Sequence, residues 1–337
     1  MYPAIRPLLF RLDPEAAHQL TLQAIRLGRY QPLQAVLKAL YAAPEKPVEA
    51  FGLKFRNQVG LAAGYDKDGI AFRGLFTLGF GHIEVGTITP RPQPGNPRPR
   101  VFRLVEDGAV INRMGFPGRG AEFVARQLMG KRPAGLVVGA NLGKNKDTPL
   151  EEAATDYVVL LRRFIPLADY LAINVSSPNT VGLRRLQGRE MLEGLLGCIA
   201  RERTILTQGR GGSKPVLVKL APDLSDEELD DALDVILRTG MDGVIATNTT
   251  VSREGLASPR REEAGGLSGE PLRARSAAVL RRVVRRLDGR LPVVSAGGIM
   301  SPEDAKTRLE AGAVLVQVYT GLVYAGPGLV RDILNNI

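Results

Sequence analysis

Cysteine occurs once in the 337 residues, at Cys198, and histidine twice, at His18 and His82. A lone thiol excludes a disulfide framework and any cysteine-built metal site. Two histidines are too few for a histidine-rich metal centre, so no metal is expected. Tryptophan is absent and aromatics make up only 5%. No basic stripe is interleaved with aromatics, which argues against a nucleic-acid platform. No run approaches the roughly 20 consecutive apolar residues of a membrane span. The mildly apolar start, Met1 to Phe10, is broken by Arg6, followed by Arg11 and lacks a small-residue cleavage site, so it does not read as a secretory signal. A paired-carboxylate signature, a Ser-His-Asp order and a P-loop are missing as well.

What remains is ordinary for a soluble globular protein, with 44% apolar and 24% charged residues. The formal net charge of +10 at pH 7 suits an anionic small ligand, an anionic membrane surface or nucleic acid. Its local clusters, Arg281-Arg282 and Arg285-Arg286, fall at helical spacing and read as a solvated helix face. Cys198 lies in the apolar helical stretch Leu195 to Ile199 and reads as a buried, inert thiol.

Residues 1–45 differ from the rest. Asp13-Pro14-Glu15 supplies a cap, a proline at the first helical position and an acid in the first turn, so a helix is predicted from there towards Gly28. Leu33, Val36, Leu37 and Leu40 repeat at i, i+3, i+4 and i+7 and predict a second helix, stopped by Pro44 and Pro47. The expectation is a small two-helix extension, with Pro7 to Phe10 ahead of it, joined to a main domain at 46–337.

That main domain reads as eight short apolar runs: 58–62, 82–86, 136–140, 170–175, 215–220, 243–246, 291–295 and 313–318. Helix-like segments lie between most of them, including capping-box starts at Ser225 and Ser301. Near-continuous β-branched runs alternating with helices indicate parallel strands buried on both faces. Eight such units predict a (β/α)₈ barrel rather than an open doubly wound sheet. Phe51 to Asn57 is expected as a hairpin plugging the barrel bottom. The proline- and glycine-rich insertion 88–120 is expected as a lid or substrate loop.

Polar residues gather just past the strand ends, where barrels place their chemistry. They are Ala63-Gly64-Tyr65-Asp66-Lys67-Asp68, Thr87, Asn141, Asn174 with Ser177, Lys219, Thr247-Asn248-Thr249, Gly297-Gly298 and Tyr319-Thr320-Gly321. A rim of amides, hydroxyls and two lysines suits a flat, hydrogen-bonding, partly anionic ligand. The glycine pair after the seventh strand is either a plain turn or part of a phosphate site. Lys219, inside an apolar strand, is either a salt-bridged core residue or a cation facing a ligand that gains negative charge. The segment Ile173 to Thr180 is either a polar turn or part of the catalytic centre.

Several of these motifs, together with Gly86 to Asn96, Ile111 to Phe116, Asn141 to Lys146, Ile245 to Thr250 and Gly265 to Gly269, closely resemble the dihydroorotate dehydrogenase family, in order and spacing and over nearly the whole chain. Ser177 stands where the soluble class has cysteine. With the amino-terminal extension, it resembles the membrane-associated, quinone-reducing class. Asp13 to His18 matches a motif of that class.

The resemblance implies that FMN is held by Ala63, Gly64, Tyr65, Asp66, Lys67, Thr87, Asn141, Asn174, Lys219, Thr247, Gly269, Gly298, Tyr319 and Thr320. It implies that dihydroorotate is bound by Lys67, Asn112, Asn174, Asn179, Asn248 and Thr249, with Arg113, Met114, Gly115 and Phe116 as the adjoining loop. Ser177 would be the base, Thr180 a relay and Lys219 a stabiliser of negative charge on the reduced flavin. His18, Arg103 and Tyr319 would face the quinone. Tyr65 replaces a more usual apolar residue, which bears on packing near the flavin.

The implied activity is oxidation of dihydroorotate to orotate in pyrimidine biosynthesis, with a membrane quinone as final acceptor. The implied location is peripheral, on the cytoplasmic face of the cell membrane. The alternatives are a soluble FMN barrel using fumarate or NAD, and a flavin-free binding barrel.

Overall fold

The structure, a computed structural model, describes residues 2–208 and 213–337. Three helices come first: α1 (Tyr2–Arg11), α2 (Pro14–Leu27) and α3 (Leu33–Tyr41). The extension therefore has one helix more than predicted, because residues 7–10 are helical despite Pro7. Asp13 caps α2 as expected, its Oδ1 accepting from the N–H groups of Glu15 (3.0 Å) and Ala16 (2.9 Å). Gly28 closes that helix.

Thirteen strands follow among the described residues: β1 (Val48–Ala50), β2 (Leu53–Phe55), β3 (Val59–Leu61), β4 (His82–Ile88), β5 (Val101–Leu104), β6 (Ala109–Asn112), β7 (Val137–Leu142), β8 (Tyr170–Asn174), β9 (Val216–Leu220), β10 (Gly243–Ala246), β11 (Gly266–Gly269), β12 (Val293–Ala296) and β13 (Leu315–Val318). Eight of them close a parallel barrel in chain order, β3-β4-β7-β8-β9-β10-β12-β13 and back to β3. These are the eight runs read from the sequence. All are buried on both faces, helices covering the outside and side chains filling the inside, which is why their residues are apolar without alternation. The capping boxes at Ser225 and Ser301 both form.

The β1–β2 hairpin packs Ala50, Phe55 and Phe51 against the lower barrel interior beside Val137, Leu217 and Ile245. Phe55 meets the His82 ring edge-on at 5.4 Å. Gly60 makes room for that ring, since a Cβ there would lie 2.0 Å from His82 Nε2. The long insertion is more ordered than a loop. β5 and β6 pair antiparallel, and β11, from after β10, adds to them to make a three-stranded sheet. Cys198 is only partly buried, with Arg201 Nη2 3.2 Å from its sulfur, so it is not the enclosed thiol expected.

Candidate active site

One cavity of about 460 Å³ runs from the amino-terminal helices to the strand ends at the barrel mouth. Ser177, Lys219, Ala63, Gly64, Lys67, Thr87, Asn174, Thr247, Gly269, Gly298 and Thr320 line it. So do Asn112, Met114, Gly115, Phe116, Asn179, Asn248 and Thr249, and at the helical end Tyr65, Tyr319, Arg103 and His18. The residues singled out from scattered strand ends therefore converge, with five exceptions, of which Asp68 turns away to accept from the Arg119 N–H (2.9 Å).

Asp66 turns inward, its carboxylate accepting from the N–H groups of Ile70 (2.9 Å) and Ala71 (2.8 Å). It folds the loop instead of reaching the cavity. Burial pushes its pKa up to about 6, against the pull of those amides. Arg113 points away to Glu263 (2.6 Å) and covers the Phe102 ring. Asn141 does not line the cavity, its side chain being engaged by Thr87, Asn174 and Glu84. The Thr180 hydroxyl is buried beside the site without a hydrogen-bond partner.

At the centre, Lys219 on β9 is almost fully buried, and the carboxylate of Glu84 on β4 lies 3.8 Å from its ammonium. Burial pulls the Lys219 pKa down, and the Glu84 charge opposes that pull. Above it, Thr87 Oγ1 donates to Asn141 Oδ1 (2.6 Å), and Asn174 Nδ2 donates to Thr87 Oγ1 (2.9 Å). Near the glycine pair, a Cβ on Gly298 would lie 2.3 Å from Arg273 Cα at a φ of +68°, so the chain there admits only glycine.

Around Ser177, the backbone N–H of Asn179 donates to Ser177 Oγ (3.3 Å). Asn179 Nδ2 donates to Asn112 Oδ1 (3.0 Å), which leaves Asn179 Oδ1 buried without a donor. An unpaired buried acceptor is costly, and a ligand N–H would satisfy it. On the facing loop Asn248 Nδ2 donates to Ser176 Oγ (2.9 Å).

Lys67 donates to the Gly64 carbonyl (2.6 Å), and burial pushes its pKa down to about 8. At the helical end, His18, Tyr65 and Tyr319 stack edge-on in series, with centroid separations of 4.8 and 5.4 Å. Burial and then the Lys67 charge push His18 down to about 4, so it is neutral near pH 7. Arg103, on β5, donates to the Leu12 carbonyl (2.6 Å) and covers the Phe10 ring, tying the insertion sheet to α1.

Two further residues serve the site. Arg184 donates to the carbonyls of Ser176 (3.0 Å) and Thr249 (2.7 Å) and pairs with Asp223 (2.7 Å), clamping the two substrate-side loops together. Nothing local in the sequence marks it. Glu84 was recognisable, because an acid inside an apolar strand carries the same signal as Lys219.

The dihydroorotate dehydrogenase family model matches residues 47–337. A relative named dihydroorotate dehydrogenase (quinone) from Anaeromyxobacter sp. (strain Fw109-5) is 53% identical over 335 residues, covering 98% of this chain and 90% of its own. One of the same name from Yersinia pestis bv. Antiqua (strain Angola) is 47% identical over 337 residues, covering 100% and 99%. A crystal structure of DHODH in complex with ferulenol from Eimeria tenella superposes with a TM-score of 0.88 at 40% identity, over 96% of this chain and 90% of that one. The ligand-free form from the same organism gives 0.87 at 41%, over 96% and 94%. The chain belongs to the dihydroorotate dehydrogenase family.

Proposed function

We propose that the protein oxidises dihydroorotate to orotate in pyrimidine biosynthesis, with FMN as the bound flavin and a membrane quinone as final electron acceptor. The observation that carries this reading is the single cavity shared by Ser177, Lys219 and the asparagines at one end and by His18, Tyr65 and Arg103 at the other. The family is flavin-dependent, and the lining fits a flavin nucleotide. A buried lysine faces the cavity, hydroxyls and amides ring it, and glycines at 269 and 298 leave room at the strand ends. FMN, when bound, supplies the acceptor for the hydride from substrate C6 and the store from which the quinone draws electrons.

The chain's own residues do the rest. Ser177 takes the proton from C5, and the Asn179 N–H donated to its oxygen favours charge there, which eases the loss of the hydroxyl's own proton as the C5 proton is taken. Its own proton leaves to a water, or through a water to the Thr180 hydroxyl, since no direct hydrogen bond joins the two side chains. Asn179 Oδ1 accepts a ring N–H, and Asn112, locked by Asn179, presents its amide donors to a substrate oxygen. Lys67 holds the substrate carboxylate, and Asn174, Asn248 and Thr249 fix the ring plane. Lys219, Thr87, Thr247, Gly269, Gly298, Tyr319 and Thr320 hold the flavin, and Asn141 braces Thr87 and Asn174 behind them.

Residues 1–45 form the quinone passage, with His18, Arg103 and Tyr319 at its inner end, and residues 46–337 form the FMN barrel. Leu8 (61% exposed), Leu20 (57%) and Leu27 (56%) leave an apolar surface on α1 and α2. No helix among the described residues is long and apolar enough to cross a membrane. The exposed leucines and the positive charge support the reading that the protein docks peripherally, with the cytoplasmic face of the cell membrane as the proposed side.

Ser177→Ala should slow flavin reduction by dihydroorotate by about 100-fold or more, the range for a lost general base, while orotate still binds. A wild-type rate overturns the base assignment. A preference for fumarate or NAD over quinone, unchanged when residues 1–45 are deleted, would favour the soluble alternative.

A further inference from the structure

Glu84 is fully buried inside the barrel, yet it is one of the best-satisfied side chains in the molecule. Its Oε1 accepts from Asn141 Nδ2 (2.8 Å), and its Oε2 accepts from Tyr170 Oη (3.0 Å) and Gln317 Nε2 (2.9 Å). Its one charged neighbour at salt-bridge range among the described residues is Lys219, at 3.8 Å. A carboxylate can only accept, so it admits only the NH₂ end of Asn141. Asn141 Oδ1 then faces the other way and accepts from Thr87 Oγ1 (2.6 Å) and Asn174 Nδ2 (3.2 Å). That in turn leaves Asn174 Oδ1 to accept from Asn248 Nδ2 (3.2 Å) and Ser176 Oγ (3.1 Å). Asn248 Oδ1 accepts from the Thr249 N–H (2.8 Å). The orientations of Asn141, Asn174 and Asn248 thus follow from one acceptor-only group.

We propose that Glu84 is a positioning residue that keeps Lys219 charged at the flavin site and sets the direction of the Asn141–Asn174–Asn248 array. The inference rests on the flavin reading above. The titratable and charged groups facing this part of the interior are Lys219 from β9, Tyr170 from β8, and His82 with Glu84 itself from β4; β7 and β13 contribute the neutral amides Asn141 and Gln317. Burial holds Tyr170 protonated and His82 neutral near pH 7, so neither replaces the Glu84 charge. Without that charge, Lys219 is a buried cation with no counter-ion and gives up its proton at lower pH.

The test is FMN binding by the flavin-stripped full chain, read by flavin fluorescence between about pH 7 and 9.5. Wild type should carry only the pH dependence that Lys67, pushed down to about 8 in the same cavity, confers, so each variant is read as its ratio to wild type. Glu84→Gln should weaken steadily as pH rises, by about tenfold per pH unit once Lys219 deprotonates. Glu84→Gln combined with Lys219→Met should be weak, with a ratio to wild type that does not change with pH, because Lys219 no longer titrates. A Glu84→Gln profile parallel to wild type overturns the proposal while leaving the flavin reading intact. Wild-type protein that binds no FMN overturns both. Should Glu84→Gln fail to fold, Glu84→Asp keeps a carboxylate but draws it one methylene further from the Lys219 ammonium, now 3.8 Å away. That protein should show the same slope from a higher pH, and a wild-type profile there overturns the proposal equally.

Discussion

Replacing Glu15 with alanine should undock the amino-terminal helices while sparing the barrel. Glu15 is buried in the first turn of α2, and its carboxylate accepts from Arg100 through Nη2 (2.7 Å) and Nε (3.1 Å) and from Arg98 Nη2 (3.0 Å). Arg98 is largely exposed, and such a pair contributes about 0–1 kcal/mol. Arg100 is buried, and stripping a buried ion of its partner costs about 3–5 kcal/mol. Its guanidinium keeps the carbonyls of Pro94 (2.6 Å) and Asn96 (2.9 Å), so the low end applies, about 3 kcal/mol. That is about a hundredfold shift towards undocked helices.

Other hydrogen bonds, Tyr2 Oη to the Val323 carbonyl (2.5 Å) and Arg103 to the Leu12 carbonyl, hold α1 and the turn after it, and α2 is left with its packing, Leu22 in the core and His18 on Tyr65. Glu15→Ala should therefore be cleaved faster by protease within residues 1–45 and show a raised KM for quinone. Oxidation of dihydroorotate with a small water-soluble acceptor should stay near wild type. Burial would push the Glu15 carboxyl up, but the hydrogen bonds and charge of Arg100, then Arg98, hold it below its usual range. Its contribution is thus present above the ordinary carboxyl pKa and is lost as pH falls through the lower folded value. Wild type should acquire the protease sensitivity of the variant only in acid. Unchanged cleavage and quinone KM, or equal loss with both acceptors, would refute the reasoning.

His82→Phe should stabilise the fold by about 1–3 kcal/mol in urea unfolding near pH 7, because both ring nitrogens are buried without a partner. Burial pushes His82 down to about 3, so its neutral form is favoured in the fold and wild type loses stability as pH falls from the usual histidine range towards that value. The gap to the variant should widen by about 3 kcal/mol by pH 4. For Lys67, pushed down to about 8, the charge that would hold the substrate is lost above that pH. The kcat/KM for dihydroorotate should fall above about pH 8, and Lys67→Met should be low and lack that transition; a wild-type profile flat to pH 10 would count against the carboxylate role.

The barrel was legible because burial on both faces leaves each strand a continuous apolar run, so Val137-Val138 or Val216-Leu217-Val218 could hardly be anything else. The insertion sheet was not, since its register joins Asn112 to Gly266 across some 150 residues and no local pattern encodes such a pairing. Helix α1 was hidden by Pro7 and by an apolar face too weak to show periodicity. Within the site, residue type announced Lys219 but not where its counter-charge would come from. Glu84 reaches it only because the barrel closes β4 and β9 around one interior. Asp66 shows the converse, since a polar residue in the right loop can be spent on that loop's own amides.

His82 and Glu84 sit two residues apart on β4 and point into the same interior, so they are a matched pair for asking what buried polarity does here. Glu84 has three hydrogen bonds and a cation; His82 has apolar and aromatic neighbours and no hydrogen-bond partner. If polar groups in this barrel were merely tolerated, both positions would respond alike to replacement, through stability only. The geometry requires them to diverge. His82→Phe should raise stability and leave FMN affinity and its pH profile unchanged, because no hydrogen bond links the ring to the asparagine array. Glu84→Gln should change the pH profile of FMN binding far more than it changes the unfolding midpoint, because Asn141, Tyr170 and Gln317 can still bond a neutral amide while Lys219 cannot regain a counter-charge.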